Sequence, residues 1–276
     1  TLLASLFSLG SIGFLNFATQ IATFPVTLFG SAIAQAAFPF LAKAAGNGNM
    51  EEFKKQMVMS LTHMAFFIAP ASVLLMILHT PIVRIIYGGR FFSWEATLLT
   101  SWTLAFLAIG LLAQGAGILL ARGFYALFDT KTPLVMTFIS LTCSIFLSIL
   151  FVLYLKLPVW SLGLSTTIGM FINTVLLFVL LDKKVGGFPY FTLSLALAKI
   201  VTISLFLGIF SYTIFKLLEQ YFNTNYGLPL LVFTSIVVLL SGAFYFFLSV
   251  IFNLEEYSAI FAFFRKAGKI RQKLMQ

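Results

Sequence analysis

The sequence predicts an all-α, polytopic integral membrane helical bundle, and three observations predict it. Hydrophobic residues make up 61% of the 276 residues and charged residues 9%, against about 25% charged in a soluble domain. Stretches free of Asp, Glu, Lys and Arg recur from end to end, at 1–42, 56–83, 96–121, 134–155, 157–181 and 228–253, and Lys199 alone interrupts 185–215. A helix crosses a bilayer with about 20 apolar residues, whereas barrel strands alternate polar and apolar over about 10, so these stretches are helices. The third observation is where the basic residues fall. With alternate loops assigned to one side, that side holds Lys43, Lys54, Lys55, Arg122, Lys131, Lys183, Lys184, Arg265, Lys266, Lys269, Arg271 and Lys273. The other side holds Arg84, Arg90, Lys156 and Lys216. Twelve against four marks the first side, and with it the C-terminus, as cytoplasmic. The net charge of +9 therefore follows membrane topology and does not indicate a nucleic-acid partner.

The elements follow in order. A helix end breaks at Gly10, Ser11 and Gly13, and a full span runs from about Asn16 to Ala42 until Gly46, Asn47 and Gly48 stop it. Asn49 with Glu52 three residues on reads as a capping box, and Glu51 with Lys55 as an i,i+4 pair, on a short stretch along the cytoplasmic interface. The next span, about Met57 to Tyr87, contains Pro70 and should kink there. After the outer turn 88–93, a span descends from about Glu95 to Leu127. Asp129 to Pro133 is the sharpest turn, with Thr132 as N-cap and Pro133 at the first helical position. The span that follows reaches Leu155, turns at Lys156, Leu157 and Pro158, and returns past the interfacial Trp160 to Asp182, Lys183 and Lys184. Two further spans, about Phe191 to Leu218 and Leu228 to Phe252, bring the total to seven complete spans and part of an eighth. Phe261, Phe263 and Phe264 beside five basic residues make the tail a basic amphipathic segment drawn to anionic lipid.

No disulfide or cysteine metal site can be built on the single Cys143. The chain starts at Thr1 without a basic leader and reads as the C-terminal part of something longer. No Ser/His/Asp or Cys/His set, paired carboxylates, HExxH or P-loop occurs in the spans, so the sequence points away from an enzyme and from any cofactor. His63 and His79 are isolated and read as packed or interfacial residues. Lys199 reads as snorkelling to the interface, and Arg84 and Arg90 as outer anchors.

Three stretches carry a resemblance. They are Phe24-Pro25-Val26-Thr27-Leu28-Phe29-Gly30-Ser31-Ala32-Ile33-Ala34 followed by Phe38-Pro39-Phe40-Leu41; Pro81-Ile82-Val83-Arg84-Ile85-Ile86-Tyr87 followed by Gly89-Arg90-Phe91-Phe92-Ser93; and Ala121-Arg122-Gly123-Phe124-Tyr125-Ala126-Leu127-Phe128-Asp129-Thr130-Lys131-Thr132-Pro133. In order and spacing they resemble the C-terminal half of the MurJ (MviN) family, the lipid II flippases of the MATE-like exporter superfamily. The resemblance implies a fourteen-helix transporter of two lobes rocking about a central cavity. Residues 1–184 would carry the end of helix seven and helices eight to twelve, 185–253 two additional C-terminal helices with a lipid-facing groove, and 254–276 the cytoplasmic tail. The N-terminal lobe of the same protein would be its partner.

The implied function is translocation of a lipid-linked cell-wall precursor across the bacterial cytoplasmic membrane by alternating access. Alternatives are export of another lipid-linked glycan or a drug cation, or a non-transporting scaffold that uses membrane lipid and the tail. The family's cavity-facing Arg position is Gln20 here, and the implied cavity wall is Asn16, Gln20 and Thr23. The plainer reading is that these three satisfy backbone or one another between helices. Arg122, Asp129 and Lys131 match a cytoplasmic gate or latch, the plainer reading being solvated charge. Ser144, Ser148, Thr166 and Asn173 fall where the family suggests a cation site, although hydroxyls alone make a weak ligand set.

The charge asymmetry generates a topology test. A cysteine at Lys131 or Lys183 is expected to stay unreactive to an impermeant maleimide in intact cells and to react after permeabilisation. One at Lys156 should react in both, and labelling of Lys131→Cys in intact cells would reverse the assignment.

Overall fold

Apolar runs of this length leave the backbone no partner but itself, and the described chain is helical throughout. The computed structural model describes residues 11–88, 92–220, 227–252 and 254. The helices are α1 Ser11–Pro25, α2 Ala32–Gly46, α3 Met50–Ile77, α4 His79–Tyr87, α5 Trp94–Ile109, α6 Leu111–Ala126, α7 Lys131–Ile149, α8 Trp160–Val185, α9 Tyr190–Glu219 and α10 Gly227–Ile251. Among the described residues six continuous helices are long and apolar enough to cross a membrane, and α5 with α6 makes a seventh as one bent span. The expected partial span over the first residues and the tail 255–276 lie outside the described residues.

Several interruptions fall where the sequence does not announce them. Ser11 and Gly13 do not break the chain: they open a helix that runs to Gly46, widened only by a π turn at Val26–Ser31. Pro25, which has no N–H to donate to the preceding turn, sits just ahead of this wide turn. The residues after Asn49 form the first turn of α3 rather than a separate interfacial stretch. The Asn49 side chain accepts from the Glu52 N–H at 3.0 Å. The other half of the expected capping box is not made, because Glu52 accepts from Gln56 at 2.6 Å while the Asn49 N–H donates to Ala44 at 3.0 Å. Lys54, not Lys55, pairs with Glu51. Pro70 lies buried inside an unbroken α3, and the interruption comes at Leu78.

The span 94–126 bends by 47° at Gly110. A Cβ there would lie 2.9 Å from Met170 Sδ and 3.1 Å from Thr167 Oγ1, so a small residue lets α8 come close where the helix changes direction. Hydroxyls from neighbouring helices serve the carbonyls around the bend. Thr167 donates to Phe106 O at 2.7 Å and Thr174 to Ala113 O at 2.5 Å, and Ser72 donates to Ala108 O. In hydrocarbon those carbonyls could find no water.

Helix α3 is the centre of the bundle. It packs on α2, α5, α6 and α9, around a core that includes Phe53, Met57, Met64, Ile68, Leu104, Leu111, Leu120, Phe124 and Leu181. Close crossings use small residues, as expected where van der Waals packing holds helices together in lipid. Gly30 of the π turn faces Ile68 and Gly115. The last two helices join through α9 on α3 and α10 on α9 and α4. Ser211 donates to Ser241 at 2.7 Å, and Tyr245 donates to Phe66 O at 2.8 Å.

Gly163 offers a test of this packing, because a Cβ there would stand 3.0 Å from the Thr103 backbone carbonyl, which cannot rotate away. Gly163→Leu is expected to force α8 off α5 and to destabilise the protein by about 1–3 kcal/mol, read as a lower melting temperature in detergent. An unchanged melting temperature would contradict the close crossing.

Candidate functional site

The first long span carries polar side chains on a face left open by the rest of the bundle. Asn16, Gln20, Thr23 and Thr27 recur at four, seven and eleven residues, which is one face of a helix. Asn16, Thr19, Gln20, Thr27 and, beyond the π turn, Gln35 are exposed, and Thr23 is half-buried. The residues expected to form a cavity wall therefore do share a face, but not equally freely. The Thr23 hydroxyl donates to Thr19 O at 2.9 Å, the Thr19 hydroxyl to Leu15 O at 2.7 Å and the Thr27 hydroxyl to Thr23 O at 3.0 Å, so these three serve their own helix. Gln20 is held from outside its helix: Tyr87 donates to its Oε1 at 3.2 Å, and Phe17 packs against the same tyrosine ring at 4.5 Å. Beside them Gln20, Phe24, Leu75, Ile82, Ile86 and Tyr87 line an apolar recess of about 430 Å³. Tyr87 is a site residue that sequence reasoning missed, since nothing local links it to a residue 67 positions earlier.

The expected latch is rearranged. Asp129 pairs with neither Arg122 nor Lys131; its Oδ2 lies 2.5 Å from Lys184 Nζ, at the end of α8. Arg122 lies 5.8 Å over the Phe38 ring, and Lys131 is exposed at the start of α7. Asp129, rather than Thr132, caps that helix: the Thr132 N–H donates to Oδ1 at 3.0 Å and its hydroxyl to Oδ2 at 2.8 Å. Phe128 just before it adopts a left-handed φ of 58° and folds the turn so that the carboxylate faces α8. The hydrogen bond from Lys184, followed by that from the Thr132 N–H, holds the Asp129 carboxyl at about 2, against its ordinary 3.8. At the same end of the bundle Lys54 Nζ donates to Gly186 O at 3.5 Å, so the start of α3, the Asp129 turn and the end of α8 share one face.

The candidate cation residues do not converge. Ser144 donates to Ser165 O at 3.1 Å and Ser148 shares a 2.6 Å hydrogen bond with Ser165 Oγ, while Thr166 donates to Leu162 O at 2.8 Å. Asn173 meets Thr137 at 3.5 Å, seven residues before Ser144 and so about 10 Å away along the helix. A hard cation gathers several oxygens at 2.0–2.6 Å or so. The serine hydroxyls are instead spent on a seam between α7 and α8 and that of Thr166 on its own helix, and the set does not fit a cation. Among the described residues, no group of three or more His, Cys, Asp and Glu side chains is placed to hold a metal ion.

The family model described as "Lipid II flippase MurJ" matches residues 1–236. This chain belongs to the MurJ lipid II flippase family. A relative from Rhizobium tropici, described as a probable lipid II flippase MurJ, is 31% identical over 175 residues, which is 63% of this chain and 32% of that protein. A relative from Bdellovibrio bacteriovorus with the same description is 28% identical over 251 residues, 91% of this chain and 47% of that protein. A solved structure described as "Lipid II flippase MurJ, inward closed conformation" superposes with a TM-score of 0.70 at 26% identity, covering 88% of this chain and 49% of that one. The chain thus spans from about a third to half the length of these relatives. The MurJ family match takes in the open polar face, the Asp129 turn and Lys184 alike.

The Asp129–Lys184 pair generates a pH prediction. A carboxyl held below its unfolded value stabilises the fold above about pH 4, and that contribution is lost as pH falls toward 2. Because both groups are partly open to solvent, the pair is worth up to about 1 kcal/mol. Asp129→Asn and Lys184→Gln are expected to cost little more together than singly, with a coupling that fades below pH 4 and in high salt. Strict additivity at neutral pH would remove the pair as a stabilising contact.

Proposed function

We propose that this chain forms one half of a flippase that translocates lipid II across the bacterial cytoplasmic membrane by alternating access, with the α1–α2 span lining its central cavity. The observation that carries this reading is the open polar face of that span. Polar side chains are costly against lipid and turn toward protein or water-filled space, yet Asn16 and Gln35 are exposed with no partner among the described residues, and Gln20 beside them is held only by Tyr87. A second lobe facing them across an aqueous cavity satisfies them. The likeness to proteins described as lipid II flippases supports lipid II as the cargo.

A transporter needs no bond-making chemistry, only two arrangements whose balance the cargo shifts. The Asp129–Lys184 pair is suited to such a change: it joins the α6–α7 turn to the end of α8 at the solvent face, where an ion pair can exchange for water at small cost. In this proposal it fastens one state of the cytoplasmic side, and the loop face with the C-terminus is cytoplasmic.

Gln20, where the family resemblance leads one to expect Arg, favours a second reading in which the cargo is another lipid-linked glycan with less anionic character at this point. Both readings can be tested in the intact protein, in cells that depend on it for outer-leaflet lipid II. Asn16→Leu combined with Gln20→Leu is expected to abolish precursor exposure while the protein still inserts, and normal flipping would remove this face from the cavity. Gln20→Arg should keep or raise flipping if the cargo is a pyrophosphate lipid. A folded but inactive Gln20→Arg protein beside an active parent would favour the other cargo.

A further inference from the structure

At the face where α3 and α9 begin, the two helices enclose a half-open cavity of about 940 Å³. Both run inward from that face. Lys55, Met59 and His63 line it from α3 at four-residue spacing, and Leu195 and Lys199 from α9. Lys199 lies nine residues into α9, about 14 Å from its start, and is the one charged residue in 185–215.

The charges of the lining do not balance. Lys54 is bonded to Glu51 at 2.9 Å, with its side chain only 12% accessible while the glutamate is 86% accessible. Among the described residues Glu51 is the only acid of the lining. Lys55 and Lys199 make no hydrogen bond or ion pair with any described residue. Two cations therefore border the same space without an anionic partner among the described residues, one of them well inside a membrane-spanning helix. Lysine in that position is expensive unless it reaches water or an opposite charge. Beside Thr62, His63 and Thr192 the wall is mostly apolar, with Val58, Met59, Leu195 and Leu254, and Phe191 at its edge is 80% exposed.

We propose that this cavity is a binding site for an anionic phospholipid of the adjoining leaflet, its phosphate taken by Lys55 and Lys199 and the start of an acyl chain lying on Leu195 and Phe191. A soluble anion would match the lysines but leave the apolar wall unused; a zwitterionic lipid would match the wall but bring its own cation. Basic pockets between membrane helices suit phosphate headgroups for this reason. The lipid would bridge α3 and α9 and so fasten the last two helices to the bundle. This site lies apart from the open polar face assigned above to the cargo.

Native mass spectrometry of the intact protein, with phosphatidylglycerol and phosphatidylcholine of equal chain length in competition, tests the site. The parent is expected to retain phosphatidylglycerol. Lys55→Gln and Lys199→Gln should each lower that preference about fivefold, the effect of one basic residue near an anionic headgroup, and Lys199→Arg should keep it. Lys43→Gln, exposed on the same face but outside the cavity, should leave it unchanged. Lys55 is itself exposed, so its variant keeps the test decisive if Lys199→Gln fails to fold. Equal preference in parent and Lys55→Gln, an equal loss in Lys43→Gln, or displacement of the lipid by inorganic phosphate alone or by the lipid-linked precursor would each overturn the proposal. None of these results depends on whether the protein flips lipid II.

Discussion

The hydrocarbon interior supplies no hydrogen bonds, and that single constraint governs how this bundle can bend. A span that changes direction must find partners for the backbone groups it frees. At Gly110 the glycine admits α8 to close range, and hydroxyls of Ser72, Thr167 and Thr174 take carbonyls on either side of the bend. At Pro25 the helix widens into a π turn and continues without a break. Both irregularities sit on the span pair that also meets at Gly30 and Gly115, so the irregular backbone is gathered where neighbouring helices cover it.

The same constraint sorts the polar side chains into two kinds. Ser144, Ser148 and Thr166 fall where the family resemblance suggests cation ligands, yet their hydroxyls, with that of Ser165, are engaged with carbonyls or with one another. A hydroxyl in a membrane helix is satisfied cheaply by its own preceding turn or by the next helix, and so it carries little functional information. A carboxamide is harder to satisfy locally. Asn16 and Gln35 on an uncovered face, with Gln20 held only by Tyr87, carry more. That contrast is why the open face of the first span, and not the α7–α8 seam, supports a transport reading.

Charge is handled at the ends of the helices. Asp182 fastens the α8–α9 turn by accepting from the Phe188 N–H at 2.7 Å and from the Tyr190 hydroxyl, while Gly186 and Gly187 supply the positive φ that the turn needs. Asp129 does comparable work at the α6–α7 turn and reaches across to Lys184. Lys55 and Lys199 differ in that they border one cavity while neither takes its counter-charge from a described residue.

The sequence by itself determined the membrane class, the helical spans to within a few residues at most ends, and the family, because length, apolarity and local motifs are one-dimensional quantities. It placed Asn16, Gln20 and Thr23 on one face, since helical spacing alone does that. Tertiary structure decided what those residues face and which of them are spent. It gave Asp129 to Lys184 instead of to Arg122 or Lys131, put an unannounced interruption at Leu78 in the span that carries Pro70, and put an unannounced bend at Gly110. The physical reason is common to all three. In a helix each backbone group is satisfied within four residues, so the sequence can report the helix; a side chain or a bend is satisfied by whichever helix lies alongside, and that neighbour is tens of residues away in the chain.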